Sequence, residues 1–358
     1  MRQHEDMSEG KIRIGFVGVG NMGQAAHLRN YAALPECSVV AIAEVRPLLA
    51  QQVAQRYGVS RVYRSAAEML AHEQLDGIVA PQQFTQHGLV IPPLYAAGIP
   101  VLTEKPLAAS VAVGERMLAA LREGGSWHMV GYHKRSDPAT IYARQEIARL
   151  RDSGELGALR YVRIIMPAGD WIAGGFDDLI RSDEPVPPPD ADPPAADMDE
   201  ATYKEYVSFV NYYIHQVNLM RYLLGEPYSV TYADPSGVLL AVQSDSGVAG
   251  VIEMSPYGTS LGWQEAALVA FEHGYVKLEL PAPLAQHVPG RVEILRDPGQ
   301  GRPPETIVPV LPPVHAMRQQ AMNFIAAIKG ERTPPCEAAE ALEDLRVAHT
   351  YLRLWRNL

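Results

Sequence analysis

A chain of 358 residues exceeds what one ordinary core organises, so two domains are expected. With 47% hydrophobic and 20% charged residues and no run of eighteen apolar residues, the composition is that of a soluble globular protein and argues against a membrane protein. A formal charge of −10 disfavours non-specific nucleic-acid binding, which depends on cationic groups replacing counterions, and leaves a neutral or cationic small substrate compatible. Only Cys37 and Cys336 occur, so neither a disulfide framework nor a thiolate metal site is expected; a reducing cytoplasm fits.

Residues 1–10 carry acids and no apolar core, which suits neither a secretory signal nor an acid-poor transit peptide, and they read as a disordered leader. Ile12 to Val17 is an apolar run suited to a strand buried on both faces. It leads into Gly18-Val19-Gly20-Asn21-Met22-Gly23 and a helix-compatible stretch, Gln24 to Leu34. In that setting GxGxxG has a mechanism: the first glycine allows the tight turn, the second lets the backbone approach a pyrophosphate, and the third lets helix and strand pack closely. The helix N-terminus then faces the phosphates. A second strand, Ser38 to Ala43, ends in Glu44, placed to bond ribose hydroxyls and repel a 2′-phosphate. NAD is therefore the expected cofactor, with NADP the lesser alternative because Arg46 is placed to hold that phosphate.

The alternation continues with helix Pro47 to Tyr57, segment Arg61 to Tyr63, helix Ala66 to His72, strand Gly77 to Ala80, helix Gln86 to Ala97 and strand Val101 to Thr103. Helix Val111 to Glu123 and strand Trp127 to Gly131 complete a parallel, doubly wound sheet, a Rossmann dinucleotide-binding domain over residues 11–135. Within it, Val101 to Pro106 (VLTEKP) puts Glu104 and Lys105 at a strand's carboxyl end, where open parallel sheets bind ligands. A surface ion pair is the plainer reading of those two charges taken alone.

Residues 136–358 have a different texture. Helix Asp137 to Arg151 precedes strand Ala158 to Met166, and further strands follow at Ser229 to Ala233, Val238 to Val242, Gly247 to Met254, Ala266 to Phe271, Tyr275 to Leu280 and Arg291 to Leu295. One long helix, Asp199 to Leu224, interrupts the run, and helices Val314 to Lys329 and Glu337 to Trp355 close the chain, packing on the sheet or returning to the first domain. This is an α+β domain with an open, mostly antiparallel sheet. Residues 174–198, rich in Pro and Asp, form a long loop that reads either as a lid or partner contact or as a solvated insertion. Its Asp177, Asp178, Asp183 and Glu184 suggest attraction of a cationic substrate such as an amino sugar.

With the glycine turn, the TEKP segment and Asn211-Tyr-Tyr-Ile-His215-Gln-Val-Asn218 on a helix, the chain resembles the Gfo/Idh/MocA family over about residues 11–356. Smaller matches agree: Ala80-Pro81 with His87, Gly131 to Arg135 with Asp137-Pro138, and Trp171 with Gly174-Gly175. The resemblance implies a Rossmann domain that binds NAD or NADP, a second domain that supplies much of the substrate site and the oligomer contact, and oxidation or reduction of sugars and cyclitols. On it, Gly18, Gly20, Asn21, Met22, Gly23, Glu44, Arg46, Pro81, His87, Glu104, Lys105 and Arg135 are expected at the cofactor. Lys105, Tyr132, Lys134, Trp171, Asn211, His215 and Asn218 are expected at the substrate, with His315, Arg318 and Gln319 as weaker candidates. A homodimer or homotetramer is implied, and no metal.

Moving a hydride from a carbinol carbon to nicotinamide requires the hydroxyl proton to leave, so a general base must reach that oxygen. Lys105 and His215 are candidates, with Asn211 as a third catalytic residue. The family's usual aspartate stands four residues before its histidine, where this chain has Asn211, which can orient a hydroxyl but cannot accept a proton; the relay is then expected on Lys105 and His215. Core packing is the plainer reading of His215, Asn211 and Asn218 singly. The expected activity is an NAD-dependent dehydrogenase of a sugar, sugar derivative or cyclitol. Two alternatives remain open: glycoside cleavage through transient oxidation and elimination, and a dinucleotide-binding sensor without turnover.

Overall fold

The computed structural model describes residues 10–186, 190–297, 299 and 301–357, and the chain divides into two compact units. The first comprises residues up to Gly131 together with Phe176–Pro193 and Gln320–Ala339. The second comprises Tyr132–Gly175, Pro194–Gln319 and Glu340–Leu358. The first unit thus ends four residues before the expected boundary at 135 and draws in two segments that sequence reading assigns to the second domain.

In the first unit, β1 (Ile12–Val17) passes through one turn of π-helix, Gly23–Leu28, into α1 (Arg29–Ala32). There follow β2 (Cys37–Ala43), α2 (Pro47–Tyr57), β3 (Arg61–Tyr63), α3 (Ala66–His72) and β4 (Gly77–Ala80). Next come α4 (His87–Val90), α5 (Pro92–Tyr95), β5 (Val101–Thr103), α6 (Val111–Gly124) and β6 (His128–Val130). The strands are all parallel in the order β3-β2-β1-β4-β5-β6, a doubly wound sheet that reverses direction between β1 and β4. The expected helix from Gln86 to Ala97 is broken into α4 and α5 because Pro92 and Pro93 supply no N–H to continue the ladder.

The pleat of β1 sends alternate side chains to opposite faces. Ile14 and Phe16, both fully buried, face a core of Leu28, Tyr31, Leu49, Val53 and Phe324. On the other face Ala41, Ala43 and Met69 close the layer, and Gly15 lets it approach: a Cβ there would stand 2.6 Å from Leu75. Each large aliphatic or aromatic group so buried contributes roughly 1.5–3 kcal/mol. Residues 320–339 complete the unit, with Phe324 edge-on to Tyr31 and Trp127, and the N–H of Val130 donating to the carbonyl of Cys336 at 3.0 Å.

The second unit opens with α7 (Pro138–Ser153) and β7 (Leu159–Asp170), followed by two helices where one was expected, α8 (Glu200–Tyr212) and α9 (Ile214–Leu224), interrupted at Tyr213. Strands β8 (Tyr228–Ala233), β9 (Leu239–Ser244), β10 (Ala249–Gly262), β11 (Glu265–Phe271), β12 (Gly274–Leu280), β13 (Arg291–Arg296) and β14 (Glu305–Ile307) follow. Helices α10 (Ala316–Ile328) and α11 (Ala338–Arg356) end the chain. The eight-stranded sheet runs β14-β13-β12-β11-β7-β10-β9-β8 and is antiparallel except where β10 pairs with β7. Alternate residues of β11 and β12 are buried, and on the sheet α7 packs against β12 and β13 while α9 packs against β7 and β10. The opposite face carries ion pairs such as Arg163–Glu253 and Arg291–Glu293. Among the described residues no helix is long and apolar enough to cross a membrane.

Candidate active site

The glycine turn at the end of β1 has the features its sequence requires. Gly18 has φ +91°, a conformation that costs most residues energy, and a Cβ on Gly23 would lie 2.8 Å from the carbonyl oxygen of Gly18. Around Gly20, a Cβ would meet only the Arg46 guanidinium, at 3.6 Å. Asn21 and Met22 are helical and lead into the π-helical turn from Gly23, and the Met22 side chain makes no cap bond. Asn21 is exposed at the lip of the turn. This close-packed helix start fits a dinucleotide's pyrophosphate.

Glu44 and Arg46 follow the end of β2. The Glu44 carboxylate, 5% exposed, accepts from the Val19 N–H at 3.0 Å and from Arg46 Nε and Nη2 at 2.8 and 3.0 Å. The Arg46 backbone N–H also donates to it, at 3.2 Å. The hydrogen bond and charge of Glu44 raise the Arg46 pKa further, so the guanidinium stays charged. A ribose hydroxyl that bonds Glu44 does so in competition with Arg46.

Across the sheet, β5 lies beside β4, which lies beside β1, and it ends in Glu104 and Lys105. Glu104 is 9% exposed and accepts from His27 Nε2 at 2.7 Å and from the Lys105 N–H at 3.3 Å. Burial alone pushes the Glu104 carboxyl up, but the His27 bond and the charges of His27 and Lys105 outweigh it and leave the pKa below its ordinary value. Glu104 is thus an ionised carboxylate fixed next to the half-buried Lys105, whose peptide bond to Pro106 is cis. Beneath β5, His128 bridges Tyr95 and Thr103 at 2.7 and 2.8 Å; burial, and secondarily His87, lowers its pKa to about 3, so it is neutral.

His87 differs from expectation. It is fully buried, with Nδ1 2.9 Å from the Leu107 carbonyl and Nε2 3.2 Å from that of Gln82, so neither ring nitrogen is offered to a cofactor; it pins the loop after β4 instead. Pro81 lies beside Gly23, where an added Cβ would stand 3.3 Å from its ring. Gln82, which sequence reasoning missed, donates to the Val17 carbonyl at 2.6 Å and lies against Gly18.

In the second unit, Tyr132, His133 and His215 form a ring cluster, with His215 edge-on to His133 at 4.6 Å and to Tyr132 at 5.9 Å. Asn211 lies in the exposed last turn of α8, while His215 lies in α9 beyond the interruption at Tyr213. Lys134 is 4% exposed and forms a buried ion pair with Glu265, over the Trp263 ring. Glu265 also accepts from Gln216 at 2.7 Å and Trp263 at 3.1 Å. The expected substrate role of Lys134 therefore gives way to a charge sealed in the unit's own interior.

Arg135 and Asn218 are corrected in the same way. The Arg135 guanidinium donates to Asn218 Oδ1 at 2.5 Å and to both Glu340 oxygens at 2.8 and 2.6 Å, and it stacks on Tyr222. Asn218 donates in turn to Asp344 at 2.6 Å, and Asp344 accepts from Arg221 at 2.5 Å. Arg135, Asn218, Arg221 and Asp344 are each less than 10% exposed, so Arg135 is committed here instead of to the cofactor, and Asn218 instead of to the substrate. This network ties α9, which carries His215, to α11. Trp171 is half-buried at the end of β7, its carbonyl accepting from Leu284 at 3.3 Å. The weaker candidate His315 accepts from the His287 N–H at 3.2 Å. Among the described residues no group of three or more His, Cys, Asp or Glu side chains could hold a metal ion.

The 174–198 loop is neither a free lid nor a solvated insertion over its 176–193 part. It is strapped to the first unit: Ile180 exchanges backbone bonds with the Gln24 side chain at 3.0 Å, Arg56 donates to the Asp178 carbonyl at 2.6 Å, and Asp192 accepts from the Gly88 N–H at 2.8 Å. Glu184 accepts from the N–H groups of Leu48 and Leu49, both at 2.9 Å. It is thus committed within the unit, which removes it from the acids expected to draw a cationic substrate. Residues 187–189 of the loop lie outside the described residues.

Residues 12–132 match the model of an oxidoreductase family with an NAD-binding Rossmann fold, GFO_IDH_MocA. The chain is 25% identical over 268 residues to scyllo-inositol 2-dehydrogenase (NAD(+)) of Bacillus subtilis, a match covering 70% of each chain. It is 22% identical over 242 residues to myo-inositol 2-dehydrogenase of Thermotoga maritima, covering 68% of this chain and 63% of the relative. An oxidoreductase from Agrobacterium radiobacter, solved with NAD+, L-tartaric acid and magnesium, shares the fold at a TM-score of 0.70 and 13% identity, covering 97% of both chains.

Proposed function

From the premise that this chain belongs, through its Rossmann domain, to the Gfo/Idh/MocA oxidoreductases and binds NAD, we propose that it oxidises a secondary alcohol of a cyclitol or sugar to the ketone, reversibly. The observation that carries the reading is Lys105 at the end of β5, beside a carboxylate held ionised and in the same sheet as the glycine turn. Inositol dehydrogenases among the relatives favour a cyclitol, and D-apiose dehydrogenase, 26% identical over 157 residues, keeps sugars within range.

NAD, when bound, accepts the hydride. Lys105 then has one task, to hydrogen-bond the reacting oxygen and take up or return its proton, and Glu104, itself held by His27, has another, to fix the position of the lysine backbone. His215 is the second group of the chain suited to proton transfer. Asn211 orients a hydroxyl without accepting its proton. The eight-stranded sheet, with Tyr257 and Leu261 exposed towards the end of β10, is the surface proposed for assembly into a dimer or tetramer.

The test is absorbance of NADH on mixing the protein and NAD with scyllo-inositol, myo-inositol and a set of aldoses. Accumulating NADH on a cyclitol or sugar supports the dehydrogenase. Cleavage of an added glycoside without NADH accumulation would replace it with the transient-oxidation reading, and binding of NAD without turnover on any member would replace it with the sensor.

A further inference from the structure

The 176–193 strap brings a carboxylate to the place where the two dinucleotides differ. In a doubly wound fold the acid at the end of β2 bonds the adenosine ribose, so the 2′ position lies beside Glu44 and the start of α2. A 2′-phosphate there would be held by two features: the N-terminal amides of α2, which with Pro47 at the first position are those of Leu48 and Leu49, and the guanidinium of Arg46. Both are already taken by carboxylates. Glu184 accepts from the Leu48 and Leu49 N–H groups at 2.9 Å each, one per carboxylate oxygen. It is held there by Ser182, whose hydroxyl donates to Glu184 Oε2 at 2.7 Å and accepts from the Glu184 N–H at 3.1 Å. Arg46 is bonded through Nε and Nη2 to Glu44, and Glu184 is a second negative charge acting on it.

We propose that Glu184 is a specificity-determining residue that excludes NADP by occupying the α2 amides a 2′-phosphate would need. It sits some 140 residues from Glu44 in sequence and acts with it: Glu44 repels the phosphate from the strand end, while Glu184 fills the helix end. A 2′-phosphate carries a charge of about −2 near neutral pH, so it would have to displace Glu184 and then remain near that displaced charge. NAD, with a neutral hydroxyl at the 2′ position, faces neither cost. The inference rests on the NAD-binding reading of the glycine turn.

The test is calorimetric binding of NAD, NADP and 2′,5′-ADP to the full chain, wild type and the variants Glu184→Gln and Glu184→Ser, with melting curves of the cofactor-free proteins as a folding control. The wild type is expected to bind NAD and to bind NADP at least tenfold more weakly. Both variants are expected to keep NAD affinity within threefold and to gain at least tenfold for NADP and for 2′,5′-ADP. An unchanged NADP to NAD ratio in both variants overturns the proposal, as does equal loss of NAD and NADP affinity, which would make Glu184 only an anchor of the strap. A wild type that binds neither dinucleotide would instead overturn the cofactor reading on which it stands.

Discussion

Replacing Asp344 by alanine probes the network that holds the His215 helix. Asp344 is fully buried and accepts from Asn218 Nδ2 at 2.6 Å and from Arg221 Nη2 and Nε at 2.5 and 3.2 Å, while the Arg221 side chain is only 10% exposed. Truncation leaves a buried guanidinium without its counter-charge, which costs about 3–5 kcal/mol, and a buried amide donor without its acceptor. The two effects share one site and do not add, so the expected loss is about 4 kcal/mol. For a unit of this size that lowers the melting midpoint by about 8–16 °C. Because Asn218 and Arg221 both lie on α9, hydrogen exchange of the α9 amides should accelerate while that of β1 and β4 stays unchanged. The double variant Arg221→Met with Asp344→Leu removes both charges and should recover more than half of the loss. A cost below 1 kcal/mol for Asp344→Ala, or a double variant less stable than the single one, would refute the argument that an uncompensated buried charge dominates.

Three further outcomes are expected. Burial raises the Asp137 carboxyl to about 6 against the stabilising pull of the Ala139 and Gly290 amides. The folded chain then binds this proton more tightly than the unfolded one, whose aspartate titrates near 3.9, so the contribution of Asp137 to stability falls as pH rises from about 4 to 6. Asp137→Asn should accordingly gain on the wild type by roughly 2–3 kcal/mol between those pH values in urea unfolding; a pH-independent difference would contradict it. Gly23→Ala puts a methyl 2.8 Å from the Gly18 carbonyl, forcing helix and strand apart, with a stability loss of about 1–3 kcal/mol and at least ~10-fold weaker NAD binding by calorimetry. In Glu104→Gln the buried His27 faces a neutral amide, and because the Glu104 pKa is lowered in the folded chain, the wild type's advantage should be present above about pH 4.5 and shrink as pH falls below it.

The first unit was legible because its signals are local. Its inner strands β1, β2 and β4 are short apolar runs, its turns are marked by glycines, and the acid after β2 follows the glycines by a fixed interval, so order and sheet direction follow from neighbours in sequence. The same locality explains the corrections. Lys134, Arg135 and Asn218 look like site residues in their own segments, and only their partners Glu265, Glu340 and Asp344, 126 to 205 residues away, turn them into buried structure. The strap misled at one residue for a similar reason: Glu184 reads as part of a free negative surface until Leu48 and Leu49 supply the amides it bonds. The break in the expected helix of Gln86 to Ala97 was visible in Pro92-Pro93, whereas the interruption at Tyr213 has no comparable marker in the sequence.

The central claim is that Lys105 carries the proton of an NAD-linked alcohol oxidation, and its most direct measurement is the rate of NADH formation by Lys105→Met on the best cyclitol or sugar found, alongside the variant's NAD affinity. The expected result is a fall in kcat of about 10²–10⁴-fold with the NAD Kd changed by less than about threefold, because methionine keeps the stem and removes only the proton-carrying group. Turnover within threefold of the wild type would contradict it.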